Sequence, residues 1–203
     1  MNGFAHRLRC WRYLLEQRRA GRYVFIHINK CGGTSVEAAL GIPKLHDTAL
    51  ARRRKIGSRR WEQAFTFAIV RHPYDKVVSL YHYRSRTGQT GLDTNVIGLN
   101  EWVRRTFEEK EPAYYDKPLM FAPCFTWVSD HGGNTIVDYI AKLETIEADW
   151  PVIQEGTGTR ASLPKRNSAR EARTAARDAL DAPARQILQA HFRRDFETFG
   201  YDI

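Results

Sequence analysis

In FIHINKCGGTS, residues Phe25 to Ser35, a branched apolar run gives way to a lysine, a cysteine, two glycines and two hydroxyl residues. Gly32 and Gly33 let the main chain approach a ligand with no Cβ atom in the way. A helix starting beside them would turn unpaired amides outward. The guest such a turn suits is an oxyanion. Lys30 adds a point charge and the hydroxyls of Thr34 and Ser35 add donors, so the chemistry is the holding of phosphate or sulfate. Thr34 with Glu37 three positions later has the form of a capping box, which places the helix start near Thr34. The stretch is not a regular Walker A loop, because Lys30 stands four positions ahead of Thr34 instead of immediately before a serine or threonine. That argues against an ordinary ATPase or GTPase. The alternative reading is a tight strand-to-helix turn whose glycines serve geometry alone.

A second turn, IVRHPYDKVVS, has the same character. Arg71 leaves the end of an apolar strand, Pro73 suits the first turn of a helix, and Ser79 follows about 9 Å further up that helix. A guanidinium and a hydroxyl so spaced can share one phosphate. Both turns stand at the carboxyl ends of strands, where open α/β sheets bind ligands. Two anion sites on one sheet edge imply a ligand with two separate anionic groups.

The elements that position these turns follow from periodicity. YVFIHI and AFTFAIV read as strands covered on both faces. Each is followed by a break and a helical pattern, SVEAAL in one case and YDKVVSLYHYR in the other, with Val77, Val78 and Tyr81 inward. Repeated strand-turn-helix units predict an α/β fold with a central parallel sheet flanked by helices. Further on, NEWVRRTFEEK predicts a helix, TIVDYIAKLETI a strand region, EADWPVIQE a short helix, and the stretches 169–181 and 182–196 two final helices. The cationic stretch KLHDTALARRRKIGSRRWEQ is expected to be a solvated face or loop. Residues 1–21 form a basic helix with Phe4, Leu8, Trp11 and Leu15 on one face. It is expected to pack on the body with its cationic side in water; the same pattern also suits a helix lying on a membrane surface, and with it peripheral membrane contact.

A chain of 203 residues with no repeat or linker is expected to make one domain, 1–203. The formal net charge of +9 favours anionic company without saying whether that is nucleotide, nucleic acid, glycan or lipid. Cys10, Cys31 and Cys124 fit neither a disulfide framework nor a metal motif, so reduced thiols and no metal are expected. No long apolar run and no signal-peptide pattern stand in the sequence, which leads to a cytoplasmic enzyme.

Together the two turns resemble the donor motifs of the sulfotransferases that use 3′-phosphoadenosine 5′-phosphosulfate (PAPS). FIHINKCGGTS looks like their 5′-phosphosulfate loop and FAIVRHPYDKVVSLYHY like their 3′-phosphate motif. The closer similarity is to the carbohydrate branch, which includes the heparan 2-O-sulfotransferases. It extends more weakly through KLETIEADW, LPKRNSAR and FRRDFETFGYDI. The resemblance implies a P-loop-like three-layer fold and transfer of a sulfuryl group from PAPS to a hydroxyl of a small-molecule or glycan acceptor, with no metal. It implies that Lys30, Gly32, Gly33, Thr34 and Ser35 hold the 5′-phosphosulfate, that Arg71 and Ser79 hold the 3′-phosphate, and that Lys165 and Arg166 close over the nucleotide. It also implies Lys30 as the cation at the departing phosphate and a histidine base between the two motifs, which is His46; His82 is the second choice. His27, inside the strand, reads as a core histidine and His72 as a helix cap or a ligand contact. The sequence departs from the family with Asn29 where proline is usual and with Cys31 where threonine is usual, which removes a hydroxyl. Two other classes remain. A nucleotide kinase explains the first turn but gives Arg71 and Ser79 no task, and a nucleic-acid-binding protein explains the charge but not the glycines.

Overall fold

The two apolar runs form adjacent parallel strands, and a third joins them. In the computed structural model, which describes residues 3–89, 91–92, 96–163 and 177–203, the elements in chain order are α1 (Gly3–Ala20), β1 (Tyr23–Ile26), α2 (Gly33–Leu40), α3 (Ala49–Ile56), α4 (Ser58–Gln63), β2 (Phe65–Val70), α5 (Pro73–Arg86), α6 (Leu99–Val103), α7 (Pro118–Phe121), α8 (Cys124–Val128), β3 (Tyr139–Lys142), α9 (Ile146–Thr157), α10 (Ala182–His191) and α11 (Arg193–Phe199). The sheet order is β1-β2-β3, all parallel, with Phe25 opposite Phe67 and Ile69 opposite Ala141. The α/β class with a parallel sheet flanked by helices is thus the class the sequence predicts.

By contacts the chain divides into two compact units, Met1–Val70 with Thr126–Arg166 and Arg71–Phe125 with Asn167–Ile203. The first unit holds the sheet. Alternate strand residues Phe25, Phe67, Ile69 and Ala141 pack with Val36 of α2 and with Trp150 and Ile153 of α9. The residues pointing the other way, Val24, Ile26, Ala68 and Val70, are equally buried. Burial on both faces accounts for the unbroken apolarity of the strands. Thr66 is the polar exception, and Asp138 satisfies it by accepting from both its amide and its hydroxyl at 2.8 Å.

The cationic stretch presents Arg54, Lys55 and Arg59 as a solvated face, as expected, but not throughout. It is helical, forming α3 and α4, and Arg52 within it is buried. Its guanidinium donates to Asp47 at 3.1 Å and to Gln17 of α1 at 3.0 Å, so the charge is paired inside instead of hydrated. Thr48 caps α3 by accepting from the Ala51 amide. Helix α1 ends at Gly21 as predicted and does pack on the body, but through Cys10 and Gln17, while Phe4, Leu8 and Trp11 face outward.

The second unit is built around Trp102, Phe107, Phe121, Leu188, Phe192 and Phe196, with Val77, Val78 and Leu80 of α5 buried among them. Pro73 opens α5, as its fixed φ favours. Two ion pairs, each with one buried partner, brace it: Arg177 to buried Asp75 through two bonds of 3.0 and 2.9 Å, and buried Arg84 to Asp116 at 2.8 Å. Asp195, fully buried on α11, accepts from the first two amides of α8, Cys124 at 2.7 Å and Phe125 at 2.8 Å.

Candidate active site

The glycine turn leaves the carboxyl end of β1 in a left-handed curl. Lys30 has φ 64°, unusual for a residue with a side chain, and Gly32 has φ 79°. Gly32 is the N-cap of α2, which begins at Gly33, one residue from the expected start. The amides of Gly33 and Thr34 open the helix and have no carbonyl a turn earlier to bond; the Ser35 amide donates to the Gly32 carbonyl at 3.0 Å. Thr34 is exposed, and Lys30 and Ser35 are half-buried.

The capping box does not form. No side chain caps α2, because the N-cap is Gly32 and Thr34 already lies inside the helix; Glu37 turns inward, where its Oε1 accepts from Nδ1 of His27 at 2.5 Å. Both are buried, so His27 is the core histidine the strand pattern predicts. Its ring lies directly under the turn: a Cβ at position 33 would stand 2.2 Å from its Cδ2. A Cβ at position 32 would stand 2.6 Å from Leu143. Packing therefore requires both glycines, in addition to whatever the turn binds. Cys31, in place of the family's threonine, is 1% exposed with its thiol toward the Asn29 carbonyl at 3.5 Å, so its side chain faces inward and not toward a ligand.

His46 joins this cluster from the segment before α3. Its Nδ1–H donates to the His27 carbonyl at 3.1 Å, and the two rings are 4.4 Å apart between centroids. Trp127 meets the His46 ring edge-on at 6.2 Å. Burial first, and the neighbouring His27 next, hold the His46 pKa below the usual histidine value. With Nδ1 committed as donor, Nε2 is the nitrogen that carries the lone pair. The structure thus brings His46 against the base of the loop that contains Lys30, Gly32, Gly33, Thr34 and Ser35.

Arg71 and Ser79 belong to the other unit. Arg71 follows β2 by one peptide bond and is half-buried, as is Ser79 on α5. Between them His72 caps α5: its Nδ1 accepts from the Tyr74 amide at 3.3 Å while its Nε2–H donates to the Asp202 carbonyl at 2.9 Å. Lys165 and Arg166 lie outside the described residues. His82 is exposed beside the Tyr81 ring. The remaining histidines have structural neighbours: His6 touches the Cys10 thiol, His131 contacts Arg54, and Nε2–H of His191 donates to the Phe121 carbonyl. Among the described residues no group of three or more histidine, cysteine or acidic side chains is placed to hold a metal. A cleft of about 290 Å³ lined by Tyr13, Gln17, Arg22 and Tyr23 lies at the amino end of β1, the opposite end of the strand from the glycine turn.

Sequence reasoning missed the Glu37–His27 pair. The signal for it is present: a polar residue in an otherwise apolar strand needs a buried partner, and Glu37 is on the helix that packs against that strand.

A parallel sheet whose first strand runs through a glycine turn into a helix defines an α/β protein. The model of the sulfotransferase family matches residues 18–202, and the chain belongs to that family: it is a sulfotransferase. A comparison with curated proteins finds no match. Among solved structures, the chain is similar to the crystal structure of a sulfotransferase from Alicyclobacillus acidocaldarius, at 14% identity and a TM-score of 0.40, covering 89% of this chain and 99% of that one.

Proposed function

We propose that this enzyme transfers the sulfuryl group of PAPS to a hydroxyl of a carbohydrate or glycolipid acceptor by in-line displacement. The observation that carries the reading is the left-handed turn at Lys30 and Gly32 leading into α2. Curled turns of this kind gather successive amides into an anion-binding concavity, and the dipole of α2 adds to it. The donor supplies an activated sulfuryl group. The amides of Gly33 and Thr34, with the hydroxyls of Thr34 and Ser35, hold its 5′-phosphosulfate, and Lys30 neutralises the charge that develops on the departing phosphate oxygen. Arg71 and Ser79 take the 3′-phosphate, with Lys165 and Arg166 as further contacts.

His46 is the base in this reading. Its lowered pKa keeps the ring neutral at pH 7, and its Nδ1–H bond to the His27 carbonyl leaves Nε2 to accept the acceptor's proton. As the acceptor oxygen bonds to sulfur, the sulfur–oxygen bond to the phosphate breaks; the proton passes to His46 and the electron pair leaves on the phosphate. The three cysteines are buried and none is in a disulfide, which fits the cytoplasm, where we place the enzyme.

The test is transfer of labelled sulfate from PAPS to a panel of oligosaccharides, glycolipids and phenols, together with thermal shifts. Label appearing in a sugar, and stabilisation by 3′-phosphoadenosine 5′-phosphate far above that by ATP or GTP, is the expected result. Equal stabilisation by all three nucleotides overturns the donor; label only in phenols overturns the acceptor class.

A further inference from the structure

Beyond the transfer reaction, we propose that α1 seats the enzyme on an anionic lipid bilayer. Single exposed apolar side chains are ordinary, but three of the seven large ones exposed among the described residues lie along α1: Phe4 at 73%, Leu8 at 46% and Trp11 at 59%. Successive helical residues advance by about 100°, which puts these three, with half-buried Leu15, on one narrow stripe. The same geometry places Arg7 and Arg18 along one border of the stripe and Arg12 and Arg19 along the other, all exposed. The body is held by a different face. Cys10 contacts the Lys44 carbonyl at 3.7 Å, and the Gln17 amide donates to the Tyr23 carbonyl at 3.1 Å while its Oε1 receives Arg52. The stripe consequently points away from the sheet that α1 packs beside. The sulfotransferase match begins at residue 18, so Phe4, Leu8 and Trp11 precede the matched stretch.

An aromatic-bearing apolar stripe between two rows of arginines has the chemistry of a helix lying in a membrane interface. The rings enter the headgroup boundary while the guanidinium groups meet lipid phosphates. Charge decides against a second copy of the chain as occupant. Pairing the same stripe on two molecules of net charge +9 would set arginine rows against arginine rows. No helix among the described residues is long and apolar enough to cross a membrane, so attachment through α1 is peripheral.

The experiment is flotation of the full chain with vesicles of phosphatidylcholine mixed with phosphatidylglycerol, and with vesicles of phosphatidylcholine alone. Binding to the mixed vesicles, weakened by salt, is expected, with little on the neutral ones. Two double variants, Phe4→Ser with Trp11→Ser and Arg7→Glu with Arg12→Glu, should each lower the bound fraction about tenfold or more, with sulfate transfer to a soluble acceptor unchanged. Failure of the wild-type protein to float with the mixed vesicles overturns the proposal. So does undiminished flotation of the serine variant, which would assign binding to the overall charge. A concentration-dependent dimer that the serine variant abolishes, without vesicle binding, would make a second copy the occupant instead. None of these readouts depends on the identity of the sulfuryl donor.

Discussion

At the scale of single residues, the site is a loop resting on a buried histidine. Gly33→Ala would drive a methyl group into His27, whose ring is held by Glu37 and has no free direction in which to yield. The expected cost is about 1–3 kcal/mol of stability, read from urea unfolding, together with weaker stabilisation by 3′-phosphoadenosine 5′-phosphate. His46→Ala should lower kcat by roughly two to four orders of magnitude while leaving donor affinity unchanged. The pH profile separates chemistry from structure. A base must be neutral to work, so kcat should rise with pH and level off by the ordinary histidine value of 6.5, with the limb displaced to the acid side because the His46 pKa is lowered. That limb should vanish in His46→Ala; if His82→Ala removes it instead, the base is misassigned. The sequence revealed the turn, since glycines and a lysine after a strand admit few readings. It did not reveal where Glu37 points, because a capping box and a buried hydrogen bond use the same residue, and the position of His27 under the turn supplies the buried partner.

Among the elements, buried polar anchors matter as much as apolar faces. Asp195 accepts from the first two amides of α8, at its own expense, since burial raises its carboxyl pKa. Asp195→Ala should leave both amides unpaired at about 1–3 kcal/mol for each buried group, seen as a lower urea midpoint, whereas Asp195→Asn should recover part of the loss. The strands and the helix after Pro73 were readable because β-branched runs and a fixed proline φ act locally. What α1 and α3 bury was not. Periodicity tells which residues share a face, but the face that meets the body here is chosen by Gln17 and Arg52, two polar residues that satisfy one another at 3.0 Å. Arg52→Met keeps the length but removes the donor to Gln17 Oε1 and leaves Asp47 with Lys55 as its remaining cation, and a loss of stability is the expected outcome.

For the molecule as a whole, titration sets a pH window. His46 and His191 both have pKa values lowered, chiefly by burial. In the unfolded chain they take up protons near 6.5, in the folded one only at lower pH, so below that value the unfolded state binds more protons and gains. Their contribution is complete above about pH 6.5 and declines as the pH falls. Melting temperatures should drop between pH 7 and pH 5, and less steeply in a variant lacking both rings. The division into two units left no linear mark in the sequence, because each unit is assembled from two separated stretches. That interleaving bears on biosynthesis. As the nascent chain emerges, β1 and β2 leave the ribosome early, but their sheet lacks its third strand until Tyr139–Lys142 follows, with all of residues 71–125 translated in between. Neither unit can be released as one uninterrupted fragment, and a chain that stops before residue 166 leaves both units incomplete.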